Sequence, residues 1–299
     1  MPLTHAHVVL NPAAGRGAAA RALDTVAREF HRQGWAVQVE RTDGPGHAVE
    51  LAARAAGAGA THVVAVGGDG TVHEVANGLL RQGGTAALGV VPFGSGNDFA
   101  KLVGVYGHTP VRAVRRLVTA RTEAWDAGRV SGEYFVNSMG VGFGPAVIRV
   151  RNDMPRLSGF ASYFVPVIRA FATFRPPRLE IQAPGFSETG YMMMVEVCNG
   201  TTAGGSYRFA PDAEPSDGRL NVCIVRRLSL PRFLLAVPRV MRGTHGTMRE
   251  VALFQTREVT MKSLDGPLTL HLDGELREPE TSACTVKIEP ARLRVMVAR

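Results

Sequence analysis

The chain has 299 residues, 45% of them hydrophobic and 20% charged. That is long enough for two domains or one large one with a sizeable core, and it excludes a disordered or low-complexity protein. Thirty-four basic against 26 acidic residues leave a net charge of +8, which favours anionic partners: phosphorylated ligands, nucleic acid or a membrane surface.

From residue 5 to about 120 the pattern alternates strand and helix. HAHVVLN reads as a first strand, followed by the loop NPAAGRG and a helix over about 18–33. WAVQVERT is a second strand, then the turn TDGPG and an Ala-rich helix over about 47–58. The stretch THVVAVGGDGTVHEVANGLL at 61–80 contains a short β-branched run, a glycine-dense turn and apolar positions Val72, Val75, Ala76 and Leu79 at helical spacing. ALGVVPF is another strand, with the loop GSGNDFAK after it and a helix near 109–120. Strands separated by helices of this length predict a parallel sheet with helices on both faces, and ligands gather at the carboxyl ends of such strands. All four loops there, Asn11 to Gly17, Thr42 to Gly46, Gly67 to Thr71 and Gly94 to Asp98, are polar or glycine-rich.

Near Glu123 the rhythm changes. Segments 133–139, 178–183, 190–198, 219–226, 249–262, 268–272 and 284–297 read as strands, interrupted by helices at 157–174 and 230–243. Mostly antiparallel strands joined by turns suggest a β-sandwich or related all-β domain. The predicted division is an α/β domain at 1–123 and a β-rich domain at 124–299, with a ligand in a cleft between them.

A glycine turn feeding a helix N-terminus aims free N–H groups and a positive dipole end at an anion. Asp69 inside that cradle makes sense if a cation bridges it to phosphates, since magnesium takes hard oxygen ligands and often reaches carboxylates through water. The bland alternative is a tight turn with Asp69 capping the helix. The loops match neither GxxxxGK[ST] nor GxGxxG, and no HRD or DFG pair is present.

NPAAG at 11–15, GGDGT at 67–71 and PFGSGNDFAK at 92–101, followed by PDAEPSDGRLNV and LHLDGE, together resemble the diacylglycerol kinase catalytic-domain family. That family includes bacterial diacylglycerol kinases, YegS-like lipid kinases and sphingosine kinases. GGDGT alone is shared with NAD kinases, whereas the ordered set is specific. The resemblance implies a Rossmann-like α/β domain of the NAD kinase and diacylglycerol kinase type, and an ATP-dependent transfer of the γ-phosphoryl group to a hydroxyl of diacylglycerol or a related lipid.

On that resemblance, Asn11, Pro12, Ala13, Ala14 and Gly15 form the first nucleotide loop, and Thr42 contacts ATP. Val66, Gly67, Gly68, Asp69, Gly70, Thr71 and Val72 form the main phosphate loop, and Ser95 and Gly96 stand in a GTGND-type loop with serine for threonine. Asp69 and Asp98 support the catalytic Mg²⁺, although Asp98 also reads as the N-cap of a following helix. Asp273 accepts the hydroxyl proton with Glu275 as its partner or substitute, while on residues alone this DG is a turn. Asp217 binds a structural Mg²⁺ with the backbone carbonyls of Glu214 and Arg219, again against the alternative of a DG turn.

Helix 157–174, with Phe160, Tyr163, Phe164, Phe171 and Phe174, borders an acyl trough in this reading, or is ordinary core. The +8 charge fits docking on an anionic leaflet. Arginines lie in scattered groups without interleaved aromatics, which ranks nucleic-acid binding last. Cys198, Cys223 and Cys284 have no metal spacing and read as buried free thiols. MPLTHAHVVLN lacks a signal-peptide pattern, and 157–174 is interrupted by Pro166 and Arg169. The expectation is a cytoplasmic protein, peripheral at a membrane, with a homodimer among the expected forms. The competing readings are an NAD kinase-like enzyme with a soluble acceptor and a non-catalytic nucleotide-binding module.

Overall fold

The computed structural model describes residues 4–154 and 161–298, the side chains of 161–164 excepted. The chain forms two compact units: residues up to Ala127 together with those from Pro290 onward, and Gly128–Glu289.

The first unit carries β1 (Thr4–Leu10), α1 (Ala14–Arg32), β2 (Trp35–Arg41), α2 (His47–Gly57), β3 (His62–Gly67), α3 (Asp69–Arg81), β4 (Ala87–Pro92), α4 (Asp98–Leu102) and α5 (Pro110–Val118). β1 pairs with β2 and with β3, and β3 with β4, all in parallel. Val63–Val66 in the middle of this sheet are fully buried, as a strand covered on both faces requires. The order β2-β1-β3-β4 sends the first crossover to one side of β1 and the next two to the other. Right-handed crossovers therefore put α1 on one face and α2 and α3 on the opposite one. The packing agrees, with α1 against α5 and α2 against α3. Within α1, Gly15, Arg16 and Gly17 take φ of 59°, 56° and 83°, so regular helix begins near Ala18, as expected.

β5 (Arg121–Val130) carries the chain into the second unit. There follow β6 (Glu133–Phe135), β7 (Ser138–Gly142), α6 (Phe143–Asn152), α7 (Ala161–Thr173), β8 (Arg178–Ala183), β9 (Phe186–Cys198), β10 (Leu220–Arg226), α8 (Leu230–Arg242), β11 (Val251–Thr256), β12 (Glu258–Ser263), β13 (Leu270–Leu272), β14 (Glu275–Arg277) and β15 (Ala283–Val297). β9 belongs to two layers. Its first half pairs with β8, while Met192–Cys198 runs between β7 and β10. One layer continues through β8 and β12 to β15, and the other carries β13 and β14 at one edge and β11 at the other. A single apolar core fills the space with side chains of both, among them Val141, Val195 and Val222 against Ile181, Met261 and Val286.

Several features depart from the local reading, among them the strand β5, which no predicted segment covers, and the break of 133–139 between β6 and β7. The run 249–262 is not one strand: β11 and β12 pair in different layers with Arg257 between them. α6 was not anticipated, because Val147, Ile148 and Val150 are β-branched and blur helical periodicity. The chain end is not all part of the β-rich unit: Arg294 and Val295 lie parallel to Ala87 and Leu88 of β4, making a fifth strand of the first sheet. A pairing across some two hundred residues leaves no local pattern, so a single boundary at 123 and 124 does not describe the units.

Among the described residues no helix is long and apolar enough to cross a membrane. Cys198, Cys223 and Cys284 are all buried free thiols, and burial raises the pKa of each, that of Cys284 to about 12.

Candidate active site

The strand order reverses between β1 and β3, and in such sheets ligands bind at the carboxyl ends of the strands at that point. Asn11 ties the loops after these two strands together: its backbone N–H donates to Val66 O at 3.0 Å and its Nδ2 to Thr71 Oγ1 at 3.1 Å. Its Oδ1 accepts the Ala13 N–H at 3.0 Å, folding the NPAAG turn back on itself. Thr42 is buried beside this turn, with its N–H on Leu10 O at 2.9 Å. The Gly67–Thr71 turn enters α3 without a side-chain cap, leaving the N–H groups of the first helical turn for an outside acceptor.

The loop after β4 presses onto that turn. A Cβ on Gly94 would stand 2.7 Å from the Cα of Gly68, and one on Gly68 would stand 3.0 Å from the Cα of Gly94. Asn97, in a left-handed conformation at φ 50°, closes this loop through Gly94, taking its N–H at 2.9 Å and donating to its carbonyl at 2.7 Å. Ser95 at its tip is exposed. Gly94→Ala separates the two loops, and a misplacement of about 1 Å costs as much as a hundredfold in rate. A fall in turnover of at least about tenfold is the expected result, read from steady-state kinetics; unchanged turnover would show that the contact is dispensable.

Asp69 and Asp98 come together between these loops. The Asp69 carboxylate accepts the Phe99 N–H at 3.3 Å. It caps α4 rather than its own helix, while Asp98 is not a cap but the first residue of α4, buried and paired with Lys101 Nζ at 2.8 Å. Burial and the neighbouring Asp98 carboxylate raise the Asp69 pKa to about 6, against the opposing N–H groups of Phe99, Asn97 and Asp98. Lys101 pairs with Asp98, yet the raised pKa of Asp69 marks negative charge that a cation would relieve. Among the described residues no cluster of three or more His, Cys, Asp or Glu could hold a metal alone, so phosphate and water oxygens would complete the shell, as is usual for magnesium.

In the second unit, Asp273 and Gly274 form the two-residue turn between β13 and β14, with φ of 50° and 91°. This is the hairpin geometry a DG dipeptide favours. The turn also orients a carboxylate. Asp273 Oδ1 accepts the N–H groups of Asn137 and Ser138 at 2.8 and 3.0 Å, and Oδ2 that of Val136 at 3.0 Å. Glu275 opens β14 with its side chain exposed. The N–H of Asp273 returns to Ser138 O at 2.7 Å. Asn199 supports the donor segment from behind, its Nδ2 on Val136 O at 3.0 Å and its N–H on Asn137 O at 2.8 Å. No spacing pattern could have announced Asn199, which acts across strands.

Asp217 is exposed and serves a turn: its Oδ1 accepts the Arg219 N–H at 2.8 Å and its Oδ2 the Gln255 Nε2 at 3.2 Å. Its own N–H donates to Glu214 O at 3.4 Å. Of the aromatic residues in the suggested trough, Phe160 and the side chains of Tyr163 and Phe164 lie outside the described residues. Phe171 stacks on Phe233 at 4.2 Å and Phe174 meets Phe143 at 5.4 Å, which is core packing.

A parallel sheet whose glycine-rich strand ends converge on two carboxylates has the features of a protein that binds a phosphorylated ligand together with a cation. A family model described as "Diacylglycerol kinase catalytic domain" matches residues 5–130, and one described as "YegS C-terminal NAD kinase beta sandwich-like domain" matches 137–297. A Bacillus subtilis protein named "Diacylglycerol kinase" is 28% identical over 91% of this chain and 90% of its own. A Pseudomonas fluorescens protein named "Probable lipid kinase YegS-like" is 33% identical over 88% and 86%. Two crystal structures from Bacillus anthracis share the fold. One superposes with a TM-score of 0.82 at 19% identity, covering 99% of this chain and 98% of that one. The other, described as a diacylglycerol kinase, gives 0.74 at 17% with the same coverage. The chain belongs to the diacylglycerol kinase catalytic-domain family, whose members are ATP-using lipid kinases.

Proposed function

We propose that this chain transfers the γ-phosphoryl group of ATP to a hydroxyl of diacylglycerol or a closely related lipid. The observation that carries the reading is the meeting of Asp69 and Asp98 under the two interlocked glycine loops. The loop Asn11–Gly15, Thr42, Val66–Val72, Ser95 and Gly96 hold the triphosphate, mainly through backbone N–H groups. Asp69 and Asp98 hold Mg²⁺, which neutralises charge on the phosphates when bound. Asp273, oriented by three backbone donors, takes the proton of the attacking hydroxyl, with Glu275 beside it.

A structural Mg²⁺ at Glu214, Asp217 and Arg219 does not fit as well. Both Asp217 oxygens and the Glu214 carbonyl already accept hydrogen bonds from the protein, and these bonds suit the turn.

Peripheral contact with an anionic bilayer belongs to the same reading. On α8, Leu230, Leu234 and Leu235 are 52%, 49% and 42% exposed, with Arg227, Arg232 and Arg242 exposed on or beside the same helix. Leucines flanked by arginines are the composition of a helix that rests in a headgroup layer.

Purified protein incubated with labelled ATP, magnesium and a panel of diacylglycerol, monoacylglycerol, sphingoid bases, phosphatidylglycerol and NAD tests the reading. A labelled product from a lipid, and none from NAD, is expected. Label on NAD instead would replace the acceptor, and ATP binding without any product would remove the catalytic role.

A further inference from the structure

We propose that Glu196 and His271 form a buried positioning pair, meeting across Gly140, that holds the Asp273 carboxylate in its working orientation. The inference rests on the reading of Asp273 as proton acceptor.

His271, Gly140 and Glu196 are directly opposed on three adjacent strands, β13, β7 and β9. Successive residues on a strand face opposite ways, so the three share one face. In the middle position only glycine leaves room. A Cβ on Gly140 would stand 2.2 Å from Glu196 Oε2 and 2.5 Å from His271 Nε2. Through that gap His271 Nε2 reaches Glu196 Oε1 at 3.3 Å. Both side chains are removed from solvent, at 1% exposure for Glu196 and 5% for His271.

The pair is connected to Asp273 from both sides. Ser138 Oγ donates to Glu196 Oε1 at 2.9 Å, and the N–H of the same Ser138 is a donor to Asp273 Oδ1. At the other end, His271 Nδ1 accepts the N–H of Gly274, the residue after Asp273, at 3.4 Å. A ring of contacts therefore runs from Asp273 through Ser138, Glu196 and His271 back to the turn that carries it. Pivoting the Asp273 carboxylate requires breaking a bond to Ser138, and Ser138 is itself anchored to a buried carboxylate.

Stability alone does not account for such a pair. Apolar residues of similar volume stabilise an interior as well as or better than buried ionisable partners do, and the same strands bury apolar side chains at their other positions: Met194 and Cys198 on this face, and Met139, Val141, Val195, Val197, Leu270 and Leu272 on the opposite one. The pair, with Ser138 bonded to it, stands on the strands that carry the Asp273 turn and one of its donors. Groups of this kind give a reacting residue its geometry by locking the shell behind it.

The test compares full-length variants with diacylglycerol in mixed micelles, reading kcat, KM for ATP and the thermal melt. The double variant Glu196→Leu with His271→Leu is expected to melt at or above the parent temperature and to keep KM for ATP within about twofold, while kcat falls about 10- to 100-fold. Gly140→Ala, which keeps both partners but drives them apart, is expected to lower kcat by a similar factor. Glu196→Gln retains an acceptor oxygen for Ser138 and His271 and is expected within about threefold of the parent. Should the double variant not fold, His271→Gln alone is read in the same way. A kcat within twofold of the parent in the double variant overturns the inference, as does a loss carried by KM for ATP instead. Asp273→Asn, run alongside, separates the two readings. If it is inactive while the double variant is fully active, only the positioning pair is lost; if it is itself fully active, the reading of Asp273 falls first.

Discussion

Asp69→Asn is expected to abolish phosphoryl transfer and, at the same time, to raise the melting temperature of the metal-free protein. The Asp69 carboxylate is burdened twice, by burial and by Asp98, and its pKa stands at about 6 against 3.8 for the free side chain. A folded-state pKa above the unfolded value means that the native state binds the proton more tightly. The ionised site therefore costs stability at pH values above about 6, and the cost disappears as pH falls toward 3.8. Two pKa units correspond to roughly 3 kcal/mol, and the partial access of solvent to the site reduces this to about 1–2 kcal/mol. In a protein of this size that is a gain of roughly 2–6 °C. Differential scanning calorimetry in EDTA at pH 8 should show it, and at pH 5 the difference between parent and variant should shrink. Retained turnover in Asp69→Asn would remove the residue from the machinery, and an unchanged melt at pH 8 would remove the electrostatic argument.

Asp273→Asn is the second large effect. The variant should bind ATP as the parent does, because every residue proposed to hold the nucleotide lies before Asn97 in the first unit. Its kcat should fall by about 10²–10⁴, the usual contribution of a positioned general base. A cost in stability accompanies the loss. An amide has one acceptor oxygen where the carboxylate has two, so the Asn137 and Ser138 N–H groups keep a partner while the Val136 N–H at 3.0 Å meets an NH₂. That mismatch costs about 1–3 kcal/mol. Equilibrium dialysis with ATP and steady-state kinetics together check the claim. Weak ATP binding in this variant would mean that Asp273 belongs to the nucleotide site, and parental kcat would mean that the proton goes elsewhere.

The two carboxylates show how differently a role can be read. Asp69 lies within six residues of its strand, its glycines and its helix, so its position in an anion cradle follows from adjacent letters of the sequence. Its partner Asp98 lies 29 positions away and reaches it only because β3 and β4 are neighbours. Locally Asp98 also fits the N-cap of the next helix, yet it is Asp69 that accepts the α4 N–H. Asp273 reads as a turn residue, and the turn is there; the donors that orient it come from Val136 to Ser138, more than 130 positions earlier.

By itself the sequence determined whatever depends on neighbours along the chain: the alternation of strands and amphipathic helices through residue 118, the glycine turns at their ends, and the hairpin at Asp273–Gly274. Only the tertiary structure decided that the last strand joins the first sheet beside β4, that one strand serves two layers, and that Glu196 meets His271 over a glycine. The reason is physical. Turns and helices are selected by dihedral preference and spacing within a few residues, whereas strand partners are selected by burial and hydrogen bonding between segments that the chain itself places far apart.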